Sequence, residues 1–316
     1  MIVKINDILG TAKKVAITGH IRPDGDCVGS CLGLYNYIID NYPDVEAQVF
    51  LENASDGFSY IRGFDTIKCQ VTDEEYDLYI ALDTSDVERV GVLSEAYKAN
   101  NNTVSIDHHI SNSKFAARNY VEGHMSSCAE VLYNMFDADK ISKETAEALY
   151  TGIVHDTGVF KYEATSEATM TAAGKLISKG IDKMKIIDSG FYAKTYRQNQ
   201  ILGRALLESV MMLDGKCIYS VISQANMKFY GVETYELDGI VEQLRLTKGV
   251  ECAVFLYETA PLTYKVSLRS KNYVDVNAVA GYFGGGGHVR AAGCTLSGTV
   301  HDVVNNIVRE IEKQIS

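Results

Sequence analysis

Acids and histidines follow four apolar runs of this chain. Val15-Ala16-Ile17-Thr18 leads into Gly19-His20-Ile21-Arg22-Pro23-Asp24-Gly25-Asp26. Residues 78–82 lead into Asp83, and Val104-Ser105-Ile106 leads into Asp107-His108-His109. Gly152-Ile153-Val154 leads into His155-Asp156, and a tract of glycines, Gly284-Gly285-Gly286-Gly287-His288-Val289-Arg290-Ala291-Ala292-Gly293, lies far downstream. Oxygen and imidazole donors of this kind suit hard-to-borderline divalent cations. Asp24, Asp26, Asp83 and Asp156 carry four negative charges, which two divalent cations would balance. Without cations these carboxylates would repel one another or take up protons. Two cations a few ångströms apart can share a carboxylate, activate a bridging hydroxide and stabilise phosphoryl oxygens. Glycines let a backbone approach a phosphate closely. The expected chemistry is metal-assisted hydrolysis of a phosphoester.

Each motif also has a plainer explanation. Asp24 and Asp26 could simply cap a helix that starts near Cys27. Pro23 and Gly25 argue for a loop over residues 20–26, from which neighbouring side chains can face different ions. Asp83 could be a turn acid. Asp86 lies three residues further on, which makes Asp83 the better ligand. Adjacent histidines point in different directions, so at most one of His108 and His109 binds a given metal and the other can meet substrate. Asp107 can orient an imidazole. The glycine tract could be no more than a turn between a helix and a strand. His288 and Arg290 add a ring and a charge to it, and Arg269 can grip a terminal phosphate bidentately. Arg89 could touch substrate or be a surface or structural residue, and Lys114 and Arg118 could add positive charge after the histidine pair or lie in a solvated loop; His124 and His301 are read as ordinary, and His155 as packed behind a ligand.

The elements that must position these groups alternate strand and helix, the pattern of a parallel α/β sheet. Strands are expected at residues 15–18, 48–51, 78–82 and 103–106. Helices are expected at residues 27–39, 127–136, 143–154 and 166–179. His20, Asp24, Asp26, Asp83, His108 and His109 then all fall just past strand ends, where open α/β sheets hold their ligands. Asp156 follows a helix instead. The pattern weakens at 188–200, read as a linker between domains at 1–187 and 201–316. The second domain reads as a smaller α/β unit, with strands at 217–222, 251–257 and 263–268 and helices at 237–246 and 276–283. A terminal amphipathic helix at 299–315 carries Val303, Val304, Ile307, Val308 and Ile311 on one face.

Composition sets the limits. A length of 316 residues is a prior for two domains. The net charge of −11 argues against wrapping a long duplex, which needs a wide basic surface. Short oligonucleotides and nucleotides remain open. Seven cysteines without a CxxC pair read as buried reduced thiols, and with no thiolate in the donor set a structural zinc site is not expected. No apolar stretch is long enough for a membrane span or a secretory signal, so a cytoplasmic protein is expected.

His20-x-x-x-Asp24-x-Asp26, Asp83, Asp107-His108-His109 and Asp156 resemble the four signatures of the DHH phosphoesterase superfamily. Arg269-Ser270-Lys271 and the glycine tract resemble its accessory DHHA1 domain. At this length the chain looks most like the nanoRNase/pAp phosphatase branch, which degrades very short RNA from the 5′ end and removes the 3′-phosphate of 3′-phosphoadenosine 5′-phosphate. The resemblance implies a larger parallel-sheet DHH domain, a smaller α/β DHHA1 domain and an active-site cleft between them. It implies two cations, manganese by preference. His20, Asp24 and Asp83 would hold one; Asp26, Asp83, His108 and Asp156 would hold the other. Catalytic roles fall to His109, Asp83 and Asp107, and substrate binding to Arg269, Gly285, Gly286, Gly287 and His288. The expected partners are short single-stranded oligoribonucleotides and nucleotides, with no long duplex and no membrane, and the chain is expected to be a monomer or homodimer. The alternatives are a linear or cyclic dinucleotide phosphodiesterase, a single-stranded DNA exonuclease, an inorganic pyrophosphatase and a nucleotide-sensing module without turnover.

Overall fold

The computed structural model describes residues 3–71 and 74–315. Met1, Ile2, Thr72 and Asp73 of the expected first domain, and Ser316 at the end of the expected second domain, lie outside the described residues. The chain divides into two compact units, Met1–Ala193 and Lys194–Ser316.

The first unit runs α1 (Ile5–Leu9), β1 (Lys14–Thr18), α2 (Gly25–Asn41), β2 (Glu46–Phe50), β3 (Leu78–Leu82), α3 (Ser94–Ala99), β4 (Thr103–Asp107) and β5 (Arg118–Val121). It continues through α4 (Cys128–Met135), α5 (Lys143–Asp156), α6 (Glu167–Ile177), α7 (Lys183–Lys185) and a π-helical turn, Ile186–Tyr192. Its five strands are parallel in the order β2-β1-β3-β4-β5. Successive side chains of a strand point to opposite faces. Val15 and Ile17 of β1, Leu78, Ile80 and Leu82 of β3, and Val104 and Ile106 of β4 therefore enter one buried cluster with α2, α4 and α5. Ala16, Tyr79 and Ala81 enter a second cluster with Leu93 and Tyr97. Burial on both faces is why these strands read as continuous apolar runs. The strand order reverses between β1 and β3, and such a switch point opens a crevice at the carboxyl ends of the strands.

Helix α2 starts at Gly25, two residues before the sequence suggested, so 20–26 is not all loop. Asp24 is its N-cap, with Oδ1 accepting from the amides of Asp26 and Cys27. Helices α2 and α5 cross at glycines. A Cβ on Gly29 would lie 2.5 Å from the Ala148 carbonyl oxygen, and one on Gly152 would lie 2.5 Å from Asp26 Oδ1.

The segment 188–200, read as the linker, is mostly helical. The π-helical turn ends at Tyr192 and α8 (Tyr196–Leu207) begins four residues later. Thr195 and Gln198 form a capping box there, each side chain accepting the other's backbone N–H. The second unit continues with β6 (Val210–Met212), β7 (Cys217–Ile222), α9 (Gln224–Tyr230), α10 (Ile240–Arg245), β8 (Cys252–Ala260), β9 (Thr263–Ser270), α11 (Val276–Tyr282), β10 (Gly286–His288), β11 (Ala291–Ser297) and α12 (Val300–Glu312). Its sheet order is β10-β11-β9-β8-β7-β6, antiparallel except for the β7–β8 pair. Val254 and Leu256 of β8 face α11 and α12, while Ala253 and Phe255 face α8 and α10. The five apolar residues expected on α12 are its buried ones.

Six of the seven cysteines are buried free thiols; Cys69 is exposed, contrary to the expectation of burial. Among the described residues no helix is long and apolar enough to cross a membrane.

Candidate metal centre

The candidate ligands of the first unit meet at the ends of β1, β3, β4 and α5. The chain leaves β1 through Gly19, where a Cβ would lie 2.2 Å from Cys27 Sγ. His20 follows, with Nδ1 2.8 Å from the Ile21 carbonyl oxygen. Only an N–H can face a carbonyl, so Nε2 is the nitrogen left for a ligand. It stands 3.5 Å from Asp83 Oδ2 and 3.7 Å from Asp24 Oδ1.

Asp83 sits just past β3 with φ +53°, a left-handed conformation uncommon outside glycine. Its backbone N–H still donates to the Ile106 carbonyl of β4. That turn aims the two carboxylate oxygens apart. Oδ2 faces His20, and Oδ1 lies 3.6 Å from His108 Nε2. His108 Nε2 also lies 3.1 Å from Asp156 Oδ2, at the last residue of α5.

Asp26 is fully buried and is held by the N-terminus of α4. Oδ2 accepts from the Cys128 amide at 2.7 Å, and Oδ1 accepts from the Ala129 amide at 3.0 Å and Ser30 Oγ at 3.2 Å. Donor atoms of Asp26, His108 and Asp156 lie within 4.8 Å of one another.

Asp107 is buried with both oxygens engaged. Oδ1 lies 2.7 Å from His109 Nδ1 and accepts from the His108 amide, while Oδ2 accepts from Asn112 Nδ2 at 2.7 Å. Nδ1 of His109 is thus the protonated nitrogen, and Nε2 is left on a side chain that is 42% exposed.

The electrostatics are those of a carboxylate cluster in need of cations. Burial pushes the Asp26 carboxyl well above the usual range, and the charges of Asp83 and Asp156 add to the shift. Burial likewise raises Asp156, against the opposing pull of His108. For both histidines burial disfavours the charged ring but is outweighed. Asp24 and Asp83 push His20 up to about 12, and Asp156 and Asp83 push His108 up to about 12. Burial also opposes ionisation of Asp24, but His20 and the helix amides outweigh it and hold Asp24 at about 2. The protons on these histidines supply the positive charge that the carboxylates require, and a bound cation would displace them.

Spacing separates a ligand shell from a hydrogen-bond network. Donors about 2.0–2.2 Å from one cation stand roughly 3–3.6 Å apart. The contacts of His20, Asp83, His108 and Asp156 span 3.1–3.7 Å, mostly longer than hydrogen bonds. The residues present therefore fit divalent cations. Cys27 also comes within 4.8 Å of donor atoms on His20 and Asp83. Burial and the neighbouring Cys31 raise its pKa well above the ordinary value.

Several residues flagged in the sequence have other places. Asp24 is the outermost donor, its side chain 59% exposed. His155 packs edge-on to Phe58 and Phe191 and fills the space that a Cβ on Gly25 would need. Asp86 caps a short 3₁₀ turn. Arg118 lies on β5 rather than in a solvated loop and donates to Ile8 O and Asn102 Oδ1. The sequence reading missed Ser30, the α4 amides and Asn112, since a backbone N–H has no residue signature and a lone asparagine has little.

In the second unit the glycine tract is a β-hairpin. Gly286, Gly287 and His288 pair with Gly293, Ala292 and Ala291. Gly285 and Gly287 are needed for packing, because a Cβ on either would lie within 2.5 Å of a backbone oxygen of β11. Gly286 and His288 are exposed. Arg269 is paired with Ala291 across β9–β11, and its Nη1 donates to the Leu268 carbonyl. Arg290 is occupied, donating to the carbonyls of Val274 and Asn272. Glu251 grips the same loop from the other side, accepting from the backbone amides of Asn272, Tyr273 and Val274.

A switch-point cluster of aspartates and histidines, on a parallel sheet followed by a separate mixed-sheet unit, defines a metal-dependent phosphoesterase once the domain matches are added. Residues 14–153 match the DHH family N-terminal domain, and residues 214–316 match the DHHA1 domain. The chain belongs to the DHH family and carries the DHHA1 domain. It is similar to the probable bifunctional oligoribonuclease and PAP phosphatase NrnA of Streptococcus mutans, 29% identical over 88% of each chain. It is also similar to the bifunctional oligoribonuclease and PAP phosphatase NrnA of Bacillus subtilis, 27% identical over 88% of this chain and 87% of that one. Among solved structures, an exopolyphosphatase-related protein from Bacteroides fragilis superposes with a TM-score of 0.87 at 27% identity, covering 98% of this chain and 94% of that one.

Proposed function

We propose that this chain cleaves short oligoribonucleotides from their 5′ ends to mononucleotides and converts 3′-phosphoadenosine 5′-phosphate to AMP, with two manganese ions. The observation that carries this reading is the Asp83 carboxylate, one oxygen facing His20 and the other facing His108. It stands in a chain similar over 88% of its length to relatives named for both activities. His20, Asp24 and Asp83 hold one cation. Asp26, Asp83, His108 and Asp156 hold the other, with Asp83 shared. When bound, such a pair lowers the pKa of water and offsets charge on phosphoryl oxygens.

The chain's own residues do the rest. The α4 amides and Ser30 fix Asp26, so its carboxylate does not have to reorganise during turnover. Asp107 takes the Nδ1 proton of His109 as a hydrogen bond, which leaves Nε2 to meet the scissile phosphate and stabilise its developing charge. Residues 1–187 carry the chemistry, 188–200 connect, and 201–316 bind substrate. Arg269 pairs with a terminal phosphate, and the Gly285-Gly286-Gly287-His288 strand receives the nucleotide through its backbone and the His288 ring. Release of AMP from 3′-phosphoadenosine 5′-phosphate, and of mononucleotides from an RNA trimer, in manganese and not in EDTA, tests this function. Inactivity on both substrates contradicts it.

A further inference from the structure

Asn112 lies outside the ligand set, on the half-buried turn after the histidine pair, yet it is bonded to both sides of the site. Its Nδ2 donates to Asp107 Oδ2 at 2.7 Å and to the carbonyl oxygen of Thr84 at 3.0 Å, with Ser105 Oγ at 3.4 Å. Thr84 directly follows Asp83, whose backbone is left-handed. The backbone N–H of Asn112 donates to the His109 carbonyl, and Asn112 Oδ1 accepts from the Lys114 amide, which closes the turn. One primary amide thus joins the segment after β3, the end of β4 and the loop carrying His109.

We propose that Asn112 is a positioning residue for the reaction, acting through Asp107 on His109 and through Thr84 on Asp83. Asp107 has one oxygen for the His109 ring and the other for Asn112. With Oδ2 held, Oδ1 stays aimed at Nδ1, and His109 presents Nε2 outward. Without that bond the buried carboxylate is held at Oδ1 alone, by the His108 amide and the His109 ring, and loses the restraint on Oδ2 that fixes its aim at Nδ1. Partners of this kind behind a catalytic ring are worth about 10–100-fold in activity. The role rests on the functional reading above, in which His109 meets the phosphate.

Two substitutions separate positioning from turn closure. Asn112→Asp keeps the oxygen that caps Lys114 but replaces the donor with a second negative oxygen facing Asp107 and Thr84. Asn112→Ala removes both groups. Positioning predicts that Asn112→Asp is the more damaging, lowering kcat on the RNA trimer by about 100-fold, and Asn112→Ala by about 10-fold. KM should stay within about threefold in each, since the substrate's ground-state contacts are untouched. A turn-closing role alone predicts the reverse order, with Asn112→Asp near wild type, and that result would overturn the proposal. The second measurement is histidine ¹⁵N NMR of metal-free wild-type protein. It should show the His109 proton on Nδ1 hydrogen-bonded to a carboxylate; a ring protonated on Nε2 alone would also overturn it. Wild-type protein that turns over no nucleotide defeats the functional reading, while the NMR result still decides the Asn112–Asp107–His109 linkage.

Discussion

Gly152→Ala adds a single methyl group at the crossing of α2 and α5. The new Cβ would stand 2.5 Å from Asp26 Oδ1 and 2.6 Å from Ala129 Cβ, whereas ordinary contact begins at 3.4 Å. Both neighbours must retreat, by about 0.9 Å and about 0.8 Å. Asp26 is pinned by Ser30 and by two α4 amides, and Ala129 is itself part of that helix. Alanine in place of glycine in a helix gains about 0.4–1 kcal/mol. Overpacking costs about 1–3 kcal/mol, and loosening a hydrogen bond to a charged group costs roughly 1.5–3 kcal/mol more. The clash wins. The net loss is about 1.5–5.6 kcal/mol; for a unit of this size each kcal/mol moves Tm by about 2–4 °C, so Tm should fall by about 3–22 °C. Gly174→Ala in α6 is the control, because nothing lies within 4 Å of its new Cβ. There the helix gain stands alone and Tm should rise by about 1–4 °C. Thermal melting and manganese-dependent turnover of both variants are the assays, and Gly152→Ala should also lose activity as Asp26 moves. A Gly152→Ala variant as stable and active as Gly174→Ala would refute the close-packed account of how Asp26 is placed.

Asp83→Ala should abolish turnover of every substrate, because both cations lose a ligand, and titration calorimetry should show manganese binding weakened at both sites; retained turnover in metal-cleaned samples would sink the shared-carboxylate scheme. Arg269→Ala should raise KM several-fold with kcat nearly kept, whereas a fall in kcat at constant KM would count against its grip on the ground-state phosphate. Glu251 concerns acid stability. Burial pushes its carboxyl up, but the amides of residues 272–274 outweigh burial and hold it below the ordinary 4.5. The folded form then binds fewer protons than the unfolded form around that pH, so the contribution is complete above about pH 4.5 and fades as pH falls through the folded value. Urea denaturation from pH 6 to pH 3 should show a shallower loss of stability in Glu251→Gln than in wild type, and equal slopes would contradict this role.

The strands of the first sheet were legible because β1, β3 and β4 are buried on both faces and bounded by polar residues. The candidate donors were legible for the same reason, each marking the point where an apolar run stops. Strand β5 was not legible, since Arg118, Asn119, Tyr120 and Val121 are all half-buried at a sheet edge and show no alternation. Strand β10 was hidden in glycines, whose extended shape comes from pairing with β11 rather than from any propensity of their own. The polar stretch around Tyr196 read as a linker because its helix buries little besides Ile201 and Ala205. At the site, Asp26 looked like a loop or cap residue. Its surroundings are backbone amides of a helix about 100 residues downstream, and only the folded chain brings them together. Arg290 looked available for substrate until the 272–274 loop claimed its guanidinium.

The most direct test of the central claim is a time course on 5′-labelled RNA in manganese, comparing a trimer with a 24-mer at equal enzyme. The account predicts labelled mononucleotide as the first product of the trimer, little turnover of the 24-mer, and no product in EDTA or with Asp83→Ala. Equal or faster degradation of the 24-mer, or product that persists in EDTA, would contradict it.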